Sequence, residues 1–190
     1  MTESLIPLSV AAIVFVASHF LLSATPVRNR LTGWMGEMAF RAAYSVVAIG
    51  TFIWLNLAYT RAPLIELWPR ADWAFYVALA VMPVAVILGV CGVLTPNPTS
   101  VAGAKVLESD DPAPGIFRVT RHPVMWAVTL WAAVHVLNTA DAASTIFFGS
   151  LCFLALAGVA HLDMRRGRDG DEAWLRLMER TSFIPFAAAA

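Results

Sequence analysis

Charged residues are absent from five long stretches of this chain, and that absence limits its possible folds more than any other feature. No Asp, Glu, Lys or Arg lies between Glu3 and Arg28, Arg41 and Arg61, Asp72 and Lys105, Arg121 and Asp141, or Asp141 and Asp163. Each gap holds about 18 or more mostly apolar residues, enough to cross the hydrocarbon core of a bilayer, roughly 30 Å, as a helix. In lipid, only helices and closed barrels satisfy their own backbone groups. The runs lack the alternating polar pattern of barrel strands. The reading is therefore all-α: a polytopic membrane helix bundle of about five transmembrane helices, near Leu5–Thr25, Met38–Tyr59, Trp73–Leu94, Pro123–Leu137 and Ser144–Leu162. The fourth is the shortest. Composition agrees, with 59% apolar and 14% charged residues, against about 45–50% and 25% in soluble domains. Net charge is zero, and nothing in it recommends a nucleic-acid partner. The partner it does imply is the lipid bilayer.

The first span is expected to be retained rather than cleaved as a signal peptide. It is led by Glu3 with no Lys or Arg, and its apolar run is too long for a signal core. With the N-terminus outside, the inner segments carry eleven of the thirteen Lys and Arg residues, and the outer segments only Arg61 and Arg70. That bias places the C-terminus in the cytoplasm and fits a bacterial inner (plasma) membrane. Residues 1–190 read as one domain, with a cytoplasmic loop at about 96–121 and a cytoplasmic tail at about 164–190. Pro96, Pro98, Pro112, Pro114 and Gly115 argue for an irregular loop. The short turn Asn138–Ala143 makes the helices on either side antiparallel neighbours. The polar stretch from Asp163 to Arg180 is expected to form an amphipathic surface helix, with the apolar end docking back. Pro83 should kink the third span. Cys91 and Cys152 sit in apolar helices as small hydrophobes. No C-x-x-C-H occurs, which excludes covalent haem attachment.

All four histidines fall within or at the edge of predicted spans: His19, His122, His135 and His161. Ionisable groups at membrane depth are costly and point to function, and neutral imidazole is a common ligand for metals and haem. Each also has a purely structural reading. His19 could bond Ser18 or a neighbouring helix, and His135 could meet water near Asn138. His161 could be solvated beside Asp163, and His122 could be an interfacial polar residue. At 3.6 residues per turn, His122 and His135 lie about 140° apart around one helix and cannot serve one iron together. Leu154, Ala157 and Gly158 share the His161 face and are small enough to admit a flat ring. Depth separates the others. His19 lies roughly 7 Å from the inner end of its helix and His135 roughly 20 Å from the inner side, so depth alone pairs His19 with His161 or His122. Arg118, Arg121 and His122 form a basic cluster before Pro123 at a helix start, suited to a carboxylate, phosphate or haem propionate.

The segment Gly115-Ile116-Phe117-Arg118-Val119-Thr120-Arg121-His122-Pro123-Val124-Met125-Trp126, with Trp131-Ala132-Ala133-Val134-His135 after it, resembles the NnrU family. That family includes the 15-cis-zeta-carotene isomerases. The first-span histidine, Gly149-Ser150 and the ending Thr181-Ser182-Phe183-Ile184-Pro185-Phe186 match as well. The resemblance implies a multi-helix membrane protein and, for the isomerase branch, non-covalent haem b with histidine axial ligands. Those map onto His19 and His135, with His161 in reserve. Ala132 stands where the plant isomerases carry a cysteine. Three functional readings are open. One is a haem-binding, redox-linked protein acting on a hydrophobic small molecule such as a polyene, or in nitrogen-oxide metabolism. The second is an S-adenosylmethionine-dependent membrane methyltransferase, in which Arg118 and Arg121 hold a carboxylate and Glu172, Trp174 and Glu179 partly imitate the usual tail. The third is a non-catalytic membrane assembly factor.

Overall fold

The computed structural model describes residues 4–100 and 103–188. Within them the chain forms α1 (Ile6–Ser23), α2 (Thr25–Met35), α3 (Glu37–Tyr59), α4 (Asp72–Leu94), α5 (Ala104–Leu107), α6 (Pro123–Thr139), α7 (Ala142–Arg168) and α8 (Glu172–Arg180), with one 3-10 turn at Gly115–Arg118. Four helices, α1, α3, α4 and α7, are long and apolar enough to cross a membrane. The fifth expected span, α6, has 17 residues, about 25 Å at 1.5 Å per residue. It packs between α4 and α7 as part of the same bundle. The protein is thus an all-α membrane bundle of about five spanning helices. Its outer faces on α3 and α4 carry exposed Ile49, Ile53, Leu79, Ile87 and Val93, the surface expected where lipid rather than water is the solvent.

The main core joins Leu8, Ala11 and Phe15 of α1 to Leu55 of α3, Ala132 of α6 and Phe147 and Phe148 of α7. Helices α4 and α6 approach closely at Gly92. A Cβ there would lie 2.8 Å from Val124 Cγ2 and 3.0 Å from Pro123 Cγ, so only glycine permits this contact. At the end of the bundle that carries only Arg61 and Arg70, the α6–α7 turn is pinned on both sides. Leu67 donates its N–H to the Ala140 carbonyl (2.8 Å), and Ala142 donates to that of Ile65 (2.8 Å). Asp141 caps α7 by accepting from the Ser144 N–H at 2.8 Å. The hydroxyls of Tyr59 and Ser144 bond each other at 2.8 Å.

At the basic end the structure adds detail to the expected loop and tail. Helix α2 buries none of its residues, so no apolar period marks it in the sequence. It is set off from α1 by extended Ala24 and from α3 by Gly36, whose φ of 82° favours glycine. Helix α7 runs past Leu162 to Arg168, and the amphipathic segment α8 begins only at Glu172. The loop is not irregular throughout, since α5 and the 3-10 turn lie within it. Loop and tail share a second core of Leu107, Ala113, Phe117, Trp174 and Leu177. The apolar ending does dock back: Arg121 N–H donates to the Ser182 carbonyl (3.1 Å) and Phe186 N–H to that of Val119 (2.8 Å).

Candidate functional site

Near its C-terminal end α1 presents His19. Its Nδ1–H donates to the Phe15 carbonyl four residues earlier at 2.7 Å. This fixes the tautomer and leaves Nε2 available to a further partner. The ring stands edge-on to Phe15 and Tyr44, with centroids 4.7 and 5.7 Å away. On α7, His161 faces Phe20 edge-on at 5.9 Å. Its Nε2 is buried and has no hydrogen-bond partner. An unpaired buried polar atom is unusual enough to require an explanation.

Both histidines line one cavity of about 740 Å³, walled by α1, α2, α3, α6 and α7. Phe20, Leu151, Leu154 and Gly158 contribute its apolar surface, and Arg28, Arg41, Arg165 and Arg166 give it a basic end. Thr99 and Ser100 of the loop after α4 complete the lining.

His135 lies elsewhere. It donates Nδ1–H to the Trp131 carbonyl at 2.7 Å and packs between Trp131 (4.9 Å) and Phe148 (4.7 Å). On α6 the cavity is lined by Met125 and Val128. His135 is seven residues beyond Val128, about 10 Å further along the helix. The structure therefore brings His19 and His161 to one cavity and leaves His135 outside it. Among the described residues, no group of three or more His, Cys, Asp or Glu side chains is arranged to hold a bare metal ion.

The Arg-x-x-Arg-His-Pro cluster serves a different centre. Arg121 is buried and donates Nε–H to Asp163 Oδ2 at 2.7 Å and Nη1–H to the Thr181 carbonyl at 2.9 Å. His122 donates Nε2–H to the other oxygen of Asp163 at 2.8 Å. The carboxylate can only accept, which assigns the proton to the imidazole. Thr120 Oγ and Trp126 Nε1 both donate to the Phe183 carbonyl at 2.8 Å. The result is a clasp joining the start of α6, the end of α7 and the tail. Arg118 is exposed and bonds Asp111 Oδ2 at 2.9 Å and the Ala113 carbonyl at 3.3 Å. Trp174 is fully buried, and Glu172 and Glu179 are exposed.

Sequence reasoning passed over Asp163 and the cavity arginines. Asp163 read as a marker of the solvated end of a span. Its signal was that it is the first acid after a long uncharged run and lies within a turn of His161. Arg28, Arg41, Arg165 and Arg166 read as topology anchors, since their convergence depends on how α2, α3 and α7 pack, and α2 carries no apolar pattern.

A family model described as "NnrU protein" matches residues 7–190. No curated protein and no solved structure matches the chain.

Proposed function

Because the chain belongs to the NnrU family over nearly its whole length, we propose that it is a membrane protein binding haem b in the cavity beside α1 and α7, with His19 and His161 as iron ligands. The observation that carries this reading is two imidazoles, each with Nε2 uncommitted to the protein, lining one cavity of about 740 Å³. That volume falls within the range typical of small-molecule and cofactor sites, roughly 300–1,000 Å³. The His19 Nδ1–H···O=C bond to Phe15 is the kind of outer contact that orients a ligating imidazole and raises its basicity. Gly158 leaves room on α7 for a flat ring, and Phe20, Leu151 and Leu154 keep water from it.

A bound haem would supply one-electron redox chemistry. The chain's own part is to hold the iron, to exclude water, and to offer an apolar wall to a hydrophobic small molecule. Polyene isomerisation and a role in nitrogen-oxide metabolism, the activities attached to the family resemblance, are both compatible with that arrangement. The basic end of the bundle faces the cytoplasm of a bacterial inner membrane in this reading. The methyltransferase alternative needs Arg118 and Arg121 to hold an external carboxylate. Here they meet Asp111 and Asp163, and Glu172 and Glu179 are exposed.

The test is absorption spectroscopy of the full chain purified in detergent from cells with intact haem synthesis. Wild type should show a Soret band. His19→Ala and His161→Ala should lose or shift it, and His135→Ala should keep it. Wild type without Soret absorption would refute haem binding. Loss in His135→Ala with retention in His161→Ala would return the ligand pair to His19 and His135.

A further inference from the structure

The basic end of the cavity has more cations than the protein itself neutralises. Arg28 of α2, Arg41 of α3, and Arg165 and Arg166 of α7 line it, and the one acid among the lining residues is Glu37. Glu37 already serves two guanidiniums, accepting from Arg28 at 2.6 Å and Arg41 at 3.0 Å. Arg166 lies over the Trp174 ring at 4.5 Å and 4.0 Å from Asp171. Arg165 makes no ion pair within 4 Å among the described residues, and its Nε is buried without a hydrogen-bond partner; so is Arg166 Nη1. A guanidinium N–H is removed from water at a cost unless an acceptor meets it. Arg165 is four residues after His161, so the two project from one face of α7, one turn apart. The unmatched charge therefore lies in the lining of the same cavity as His161.

We propose that Arg28, Arg41 and Arg165 bind the anionic group, a carboxylate or phosphate, of an amphiphile whose apolar body occupies the cavity. Guanidinium forks suit both groups because each presents paired oxygens. The inference deepens the haem reading: for haem the anionic group is its carboxylate pair, and for a membrane phospholipid it is the phosphate. The arginines of the Arg-x-x-Arg-His-Pro motif do not take this role: neither lines the cavity, and each has a carboxylate partner in Asp111 or Asp163, whereas Arg28 and Arg41 share the single charge of Glu37 and Arg165 has none within 4 Å among the described residues.

Two binding measurements on the purified full chain separate the sources. In the first, haem b is titrated against its dimethyl ester, which lacks the carboxylates. In the second, retention of phosphatidylglycerol is compared with that of phosphatidylcholine by native mass spectrometry. Arg165→Gln and Arg28→Gln are the test variants, and Arg118→Gln is the control. Arg28→Gln guards against misfolding, because α2 contributes no buried residue to the bundle. For a carboxylate ligand, wild type should prefer haem b over the ester. Each test variant should weaken haem b by about tenfold, the loss of one charge-assisted contact, and leave the ester unchanged. Arg-dependent retention of phosphatidylglycerol without haem binding would support the anion site while overturning the haem reading. Haem binding indifferent to esterification and to both variants, with the two lipids retained alike, would overturn the anion site and leave the haem reading standing.

Discussion

Replacing Asp163 with alanine removes the carboxylate that two buried side chains share. Its side chain is 10% exposed, with Arg121 at 8% and His122 at 2%. Each carboxylate oxygen has its own partner, at 2.7 and 2.8 Å. The substitution leaves a guanidinium buried with its charge unmatched and an imidazole N–H without an acceptor. Breaking a buried pair from one side typically costs about 3–5 kcal/mol. At about 2–4 °C per kcal/mol for a chain of this size, the melting temperature should fall by about 10 °C. Asp163→Asn keeps an acceptor oxygen and loses the charge, so it should fall by less. Arg121→Leu with Asp163→Leu removes both charges together and should recover part of the loss, since an apolar pair of similar volume is often no worse than a buried ion pair, while the His122 N–H and the Thr181 carbonyl remain without their partners. Thermal unfolding in detergent, followed by tryptophan fluorescence, gives the shift. Limited proteolysis after Thr181 reports whether the tail has come loose, because Arg121 also holds the Thr181 carbonyl. If Asp163→Ala melts within 2 °C of wild type and its tail stays protected, the clasp does not hold the structure together as argued.

Three further outcomes are expected. A reporter fused after Ala190 should be active only if it is one that works in the cytoplasm, and an active periplasmic reporter there would reverse the orientation drawn from the arginine distribution. Gly92→Val should destabilise the bundle by about 1–3 kcal/mol through overpacking of α4 on α6, measured by the same melting assay; wild-type stability would mean the two helices separate freely. Trp174→Ala should cost about 3–5 kcal/mol and expose α8 to protease, because that ring is the largest fully buried side chain of the second core; unchanged protease resistance would show that α8 is held by something else.

The histidines show how far local reasoning reaches. Estimated depth along each helix already set His19 closer to His161 than to His135, and the cavity follows that ordering. The motif resemblance points to His19 with His135, a pair that this cavity does not bring together, because a motif carries identity along the chain but not the offset between helices. The clasp was out of reach for a similar reason. Arg121 and Asp163 are 42 residues apart; Arg121 read as part of a basic cluster open to an outside anion, and Asp163 as a charge flanking a span. Tail docking was expected from the apolar run Phe183–Phe186, but its partners, the backbone of Val119 and Arg121, the Thr120 hydroxyl and the Trp126 indole, were not legible as such, although all lie in the Gly115–Trp126 segment.

What the amino-acid sequence determined by itself is the membrane bundle: where its long apolar helices run and which loops and tail carry most of the arginines. A bilayer tests each helix separately for length and charge, so a local stretch of residues holds the whole answer. What only the tertiary structure decided is which side chains meet. The assignment of Asp163 to Arg121 and His122, and of His161 to a cavity shared with His19, depends on the rotation and offset of α7 against α1, α3 and α6. Those are set by packing among residues far apart in the chain, such as Phe15, Ala132 and Phe148, and not by the periodicity of any one helix.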